Sequence, residues 1–112
     1  MDQSVGKIPG SDGSDYSYWK IRMLAFLQSQ HSSVWDIYHR ADFKVLEERV
    51  TQLQQWEHEA NNKSRNFLLT ALSRSEFNRV SHLKTAHEIW TSLANFHEGT
   101  SQVMASLYET YK

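Results

Sequence analysis

The chain of 112 residues contains no cysteine and few residues that interrupt helices. The absence of cysteine excludes disulfides, thiolate metal sites and thiol nucleophiles. The single proline and three of the four glycines lie near the N-terminus, so few chain breakers remain elsewhere. No apolar run approaches the roughly 18 residues that a membrane-spanning helix needs, and no signal-peptide pattern begins the chain. These absences predict one domain without cross-links or membrane contact, and a cytoplasmic location.

A large excess of charge of either sign is also missing, because the net charge is only −1. Locally the balance shifts: residues 62–84 hold five basic residues against one acidic residue, whereas residues 42–59 hold five acidic against two basic. Three interpretations remain open. The basic segment could contact RNA weakly, it could be a solvated face, or acidic and basic surfaces of identical copies could pair head to tail.

Motifs of enzymes and metal sites are lacking. His58-Glu59 and His87-Glu88 begin H-E-x-x-H patterns, but neither has the second histidine that would share a zinc ion. No serine lies in G-x-S-x-G, and no glycine-rich loop follows a strand. We therefore expect no catalytic residue, no metal and no cofactor.

Helical patterns fill the rest of the chain, and residues 84–99 have the most complete one. Thr85 and Glu88 form a T-x-x-E capping box. Apolar residues then recur every three or four positions as far as Phe96, which is one face of an amphipathic helix. Gly99 is placed to end that helix in a left-handed conformation.

Further helices are predicted before and after this one. They are a helix near 16–30 capped by Asp15, a short one near 33–40 capped by Ser32 or Ser33, one near 44–73, a short turn capped by Ser75, and a last helix capped by Thr100 or Ser101. The third is either one helix or two, with a break near Asn61 or a start at Thr51. No strand pattern appears. We predict an all-α bundle of about five or six helices over residues 15–112, behind a flexible lead of residues 1–14.

Two groups of apolar residues follow from these helices. Aromatic and aliphatic residues on the stripes are predicted to form the core: Trp19, Phe26, Trp35, Trp56, Leu68, Ile89, Trp90 and Leu93. A second stripe near the C-terminus either folds back on the core or forms an association surface for a partner helix or downstream chain: Val103, Met104, Leu107, Tyr108 and Tyr111.

Several short segments resemble, in order and spacing, the gag polypeptide of plant copia-type LTR retrotransposons. They are YSYWKIRMLAFLQS from Tyr16, VWDI from Val34, SEFNRV from Ser75, KTAHEIW from Lys84 and HEGTSQV from His97. The resemblance covers residues 14–112, is loose over 43–55, and lacks the usual motif before Tyr16. It implies an all-α, retroviral capsid-like N-terminal lobe that self-associates in the shell of a particle around RNA. The C-terminal half and zinc knuckle that follow in the family are not in this chain.

The expected function is therefore that of a non-enzymatic, self-associating structural module contributing to particle assembly. RNA contact would be weak or made by the missing downstream region. The alternative is a host-domesticated, gag-derived adaptor that binds a different protein.

Overall fold

The computed structural model describes residues 7–110, with side chains as far as Gly99. These residues form five α-helices and no strand, so the predicted all-α bundle is confirmed. The helices are α1 (Tyr16–Gln28), α2 (Ser32–Tyr38), α3 (Gln52–Ala71), α4 (Arg74–Val80) and α5 (Ala86–Thr110).

Three helices begin at a capping box that the sequence contains. Thr51 caps α3 with Gln54, and Ser73 caps α4 with Glu76. At α5 the hydroxyl of Thr85 accepts from the Glu88 N–H at 3.1 Å, and the Glu88 carboxylate accepts from the Thr85 N–H at 3.2 Å. Each box satisfies two backbone donors that the first turn leaves free.

The other predicted helix starts need correction. Ser73, not Ser75, caps α4, because only Ser73 lies three residues before a glutamate that can bond back. At α2 the cap is the His31 ring, which accepts from the Ser33 N–H, instead of a serine hydroxyl. Asp15 does precede α1, but its left-handed backbone (φ 46°) leaves its side chain without a capping hydrogen bond.

The third helix is single and shorter than the predicted 44–73. It begins after Thr51, and the residues before it form an irregular connection in which the Leu46 N–H bonds to the His58 ring at 2.8 Å. Asn61 does not break the helix. Its side chain forms hydrogen bonds with Lys84 and Ala86 and so does not compete for the backbone of α3.

The last helix runs through Gly99 without interruption, so the predicted stop there and the predicted new start at Thr100 or Ser101 are wrong. Glycine costs only about 1 kcal/mol inside a helix, so a single glycine does not by itself end one. A Cβ on Gly99 would meet only the Asn95 side chain, 4.0 Å away, so nothing there demands glycine.

The main core lies where α1, α2, α3 and α5 meet. Of the residues predicted to form it, Trp19, Phe26, Leu68, Ile89 and Leu93 are buried. Trp35 and Trp90 are half-buried and pack against the same cluster. The prediction for Trp56 is wrong, because its side chain is 59% exposed.

The first residues that the structure describes are packed on the domain, unlike the flexible lead expected over 1–14. Trp19 Nε1 donates to the Pro9 carbonyl at 2.8 Å, and the Ser11 N–H donates to the Ala71 carbonyl at 2.6 Å. Pro9 is itself buried. Residues 1–6 lie outside the described part of the chain.

Candidate functional site

An open groove runs between α2 and the N-terminal half of α3. Trp56 lies in its middle and lines two adjoining recesses of about 700 Å³ and 220 Å³. Leu53, one turn earlier, also faces the groove and is 60% exposed. The remaining lining residues are His31, Ser33, Asp36, Ile37, Arg40, Glu57, Glu59, Ala60 and Lys63.

Helix lengths explain why the groove is open. The seven residues of α2 reach only about 10 Å, whereas the twenty residues of α3 reach about 30 Å. Packing the buried side of α2 against the middle of α3 therefore leaves the first turns of α3 uncovered. Ser64, further along α3, does meet α2: its hydroxyl donates to the Val34 carbonyl at 2.9 Å.

Further exposed apolar residues lie on the connection before α3, outside the groove. Val50 is 79% exposed, Leu46 38% and Val45 40%. Val45 lines a separate recess with His82 and Lys84, and the Leu46 N–H bonds to His58, which does not line the groove. The exposed apolar side chains of the groove itself are therefore Leu53 and Trp56, and exposed apolar patches mark protein-interaction sites.

The groove rim carries charge of both signs. Arg40 forms ion pairs with Glu57 and, at 3.3 Å, with Asp42. The hydrogen bond to Glu57 and then that to Asp42 raise the pKa of Arg40, and the bond from Arg40 lowers the pKa of Asp42. Glu59 and Lys63 add one charge of each sign. This rim is electrostatically mixed, unlike the dense basic face of a nucleic-acid site.

The association surface predicted from the sequence is not tested by the described side chains. Val103, Met104, Leu107 and Tyr108 belong to α5, but their side chains lie outside the part that the structure describes. Tyr111 lies beyond the described residues altogether.

A second cluster of polar groups joins α4 to α5. The Glu76 carboxylate accepts from the Ser11 hydroxyl at 2.7 Å and the Ser73 N–H at 3.0 Å, and it contacts His97 Nε2 at 2.6 Å. The Tyr16 ring stacks on His97 with centroids 4.5 Å apart. Burial would raise the pKa of Glu76, but these hydrogen bonds outweigh burial and lower it.

This Glu76 cluster holds the fold together and faces no open cleft. Glu76 is 1% exposed, and the His97 side chain is 10% exposed. General acid–base work needs a group that can reach a substrate. The sequence signal that could have found the cluster is S-x-x-E from Ser73 to Glu76.

Two cations of the basic segment have structural partners. Arg65 donates to the carbonyls of Leu83 and Ser81 at 2.8 and 2.7 Å, which fixes the connection between α4 and α5. The Arg79 guanidinium lies 3.7 Å from the Phe96 ring centroid. Cations held in this way are less available to phosphates than a solvated basic face is.

Four of the six histidines, His31, His39, His58 and His87, have ring nitrogens in contact with backbone groups. His58 Nδ1 contacts the Gln54 carbonyl at 2.8 Å while its Nε2 accepts from Leu46, and His87 Nδ1 contacts the Tyr38 carbonyl at 3.2 Å. Within the described residues no three histidine, aspartate or glutamate side chains are grouped as a metal site would require.

Comparison with known proteins adds no relative to this picture. The chain matches no protein-family model, no curated protein and no solved structure. Among the residues described, no helix is both long and apolar enough to cross a membrane. The candidate site therefore rests on the geometry of the groove.

Proposed function

We propose that this chain is a non-enzymatic association module that binds further copies of itself. The observation that carries the proposal is the exposure of Trp56 and Leu53 in a concave groove. A tryptophan contributes about 150–250 Å² of contact when buried, and tryptophan is enriched among the residues that dominate interface energies.

The charges favour a protein partner over a nucleic acid. The groove rim mixes acidic and basic residues, and the net charge of the chain is −1. A nucleic-acid module would concentrate free cations on one face, whereas Arg65 and Arg79 have intramolecular partners.

The closed Glu76 cluster supports a non-enzymatic role. Titratable groups with shifted pKa values are candidates for catalysis when they lie in a cleft. Glu76 has the shifted pKa but is enclosed by Ser11, Ser73 and His97.

The resemblance to copia-type gag polypeptides supports self-association as the kind of binding. In that reading the chain is a cytoplasmic, capsid-like component of a particle shell. The resemblance is carried by residues of α1, α2, α4 and α5, and it is loose over 43–55.

That looseness favours a second candidate function, an adaptor that binds a different protein through the same groove. On the α3 side of the groove, Leu53 falls in the loosely matching segment and Trp56 directly follows it. On the α2 side, Asp36 and Ile37 belong to the shared VWDI motif. A groove with one wall outside the shared pattern is the expected result if the partner has changed.

Light scattering during size-exclusion chromatography tests self-association over a series of loading concentrations. We expect the mass of the full chain to rise with concentration and Trp56→Ser to shift it towards the monomer. Ile21→Ser is the matched control, because Ile21 is 69% exposed on α1 and does not line the groove. A strict monomer at every concentration would overturn self-association; if Trp56→Ser then abolishes stoichiometric binding of one heterologous protein, the adaptor replaces it.

A further inference from the structure

The continuous α5 has its two ends in very different surroundings. Its first residues lie beside the groove-bearing helices: the Ala86 N–H donates to Asn61 Oδ1 at 2.9 Å, and His87 contacts the Tyr38 carbonyl. Asn61 directly follows Ala60, which lines the groove. The start of α5 and the groove are therefore at the same end of the molecule.

The described side chains of α5 make their last contacts with the domain near residue 98. His97 meets Glu76, and Glu98 accepts from Lys20 at 3.4 Å. Residues 100–110 then continue the helix for about 16 Å at 1.5 Å per residue.

The sequence of this last segment suits an apolar groove. By spacing, Val103, Met104, Leu107 and Tyr108 share one side of a helix. Residues 100–110 contain one charged residue, Glu109. A nearly neutral amphipathic helix is the ligand that helix-binding grooves accept, through apolar anchors about one turn apart.

The chain cannot place this segment in its own groove. Thr110 is 24 residues from Ala86, so a straight helix puts it about 36 Å from the end at which the groove lies. Bringing it back would require breaking α5, which is continuous through Gly99.

We propose that the C-terminal end of α5 of one copy docks in the α2–α3 groove of a second copy. The inference rests on the proposed self-association and specifies its two surfaces. Since the surfaces differ, the contact is heterologous, and successive copies extend into a filament or close into a ring. A helix of about three turns in one groove buries an area at the low end of specific interfaces, so each contact is weak and assembly depends on concentration.

A complementation experiment tests the proposal. Trp56→Asp disables the groove and leaves the α5 end intact, whereas Leu107→Asp does the reverse. Each variant alone is expected to remain monomeric by light scattering. An equimolar mixture is expected to form a heterodimer, because one intact groove and one intact α5 end remain available to each other.

Every other outcome identifies a different arrangement. Self-association of Leu107→Asp at wild-type strength indicates pairing of groove with groove, and self-association of Trp56→Asp indicates pairing of α5 ends; either result overturns the docking proposal. A mixture that stays monomeric also overturns it. A wild-type chain that is itself monomeric overturns the proposed function instead, so the two failures are distinguishable.

Cross-linking provides a second test that does not depend on disabling either surface. The chain has no cysteine, so Lys63→Cys on the groove rim and Thr110→Cys at the end of α5 give two single-cysteine chains. Under mild oxidation of an equimolar mixture, disulfides between the two different chains should exceed the half expected from random pairing. A predominance of either homodimer would contradict docking of α5 in the groove.

Discussion

The two ends of α3 differ in a way that polarity alone does not predict. Towards the C-terminal end, the closed face, formed by Asn61, Ser64, Leu68 and Ala71, is buried although half of these residues are polar. Towards the N-terminal end, the open face, formed by Leu53 and Trp56, is apolar and yet about 60% exposed. Leu53 lies about five turns before Ala71, so the two are on the same side of the helix. Burial on this helix therefore follows what packs against each stretch of it. The closed face stabilises the domain, and the open face is the proposed binding surface.

The polar residues of the closed face are tolerated because they are satisfied. Asn61 donates to the Lys84 carbonyl at 3.0 Å and accepts from the Ala86 N–H, and Ser64 donates to Val34. Buried polar groups in native proteins nearly always have such partners. These two residues join α3 to α5 and to α2.

The largest expected contrast comes from the same substitution on each face. Leu68→Ala should lower the free energy of unfolding by about 2–5 kcal/mol, because it removes methyl groups from a fully enclosed site and leaves a cavity. Leu53→Ala should change it by less than about 0.5 kcal/mol, as exposed substitutions do. Denaturant titration of dilute, monomeric samples measures both. Equal losses would show that the open face is covered within the monomer.

The sequence predicts the helices better than it predicts which faces are covered. Five of the predicted core residues are buried, because their stripes lie on helices enclosed by others. Trp56 belongs to an equally regular stripe, but it lies in the groove beside α2 without being enclosed by it, and no local pattern predicts that. Coverage is a property of the assembled fold.

Adjacent asparagines on α3 provide the next contrast. Asn61→Ala should cost about 2–3 kcal/mol, because the Lys84 carbonyl and the Ala86 N–H both lose their side-chain partner. Asn62→Ala, on the exposed side of the same helix, should be neutral or slightly stabilising, since alanine is the better helix former. Thermal unfolding of the pair is the measurement. A loss below about 0.5 kcal/mol for Asn61→Ala would mean that water replaces the amide.

A smaller expected difference is that the Glu76 cluster, unlike the ion pair on the groove rim, makes stability depend on pH. The lowered pKa of Glu76 lies below its unfolded value of 4.5. Its stabilising contribution is therefore present above pH 4.5 and is lost as the pH falls through the lowered folded value.

Glu76→Gln should accordingly cost about 1–2 kcal/mol at neutral pH, where the charged acceptor is lost, and this difference from the wild type should shrink in acid. Glu57→Gln on the rim is the control, because the Arg40–Glu57 pair is partly solvated and such pairs contribute little. Unfolding free energies measured across the acid range decide the matter. A difference for Glu76→Gln that does not depend on pH would rule out ionisation as its source.

The sequence predicts the candidate site only in part, because some of its features are local and others depend on the assembled fold. The T-x-x-Q and S-x-x-E boxes at Thr51 and Ser73 are local signals and could be found in advance. The groove is not local, since it needs the lengths and packing of α2 and α3 together. Gly99 shows the opposite failure, because a frequent local marker of helix ends lies inside a continuous helix, where a glycine costs only about 1 kcal/mol.

The smallest expected effect concerns a buried polar group on α1 that, unlike Asn61 and Ser64, is unsatisfied. The Tyr16 hydroxyl is buried and, among the described residues, has no hydrogen-bond partner. Burial, and then the charges of Glu98 and Glu76, raise the pKa of Tyr16 to about 12. The neutral hydroxyl is thus favoured in the folded state. Its contribution to the free energy of unfolding is therefore full below pH 10 and is lost as the pH rises through about 12.

Tyr16→Phe keeps the ring that stacks on His97 and removes only the unpaired hydroxyl. Stability at neutral pH should stay constant or rise by up to about 1 kcal/mol, because an unsatisfied polar atom is no longer buried. Above pH 10 the variant should unfold at higher pH than the wild type. Tyr18→Phe is the matched control, since Tyr18 is 60% exposed two residues along the same helix and should change neither quantity. Destabilisation of Tyr16→Phe by more than about 1 kcal/mol would instead show that the hydroxyl has a hydrogen-bond partner, as Asn61 and Ser64 do.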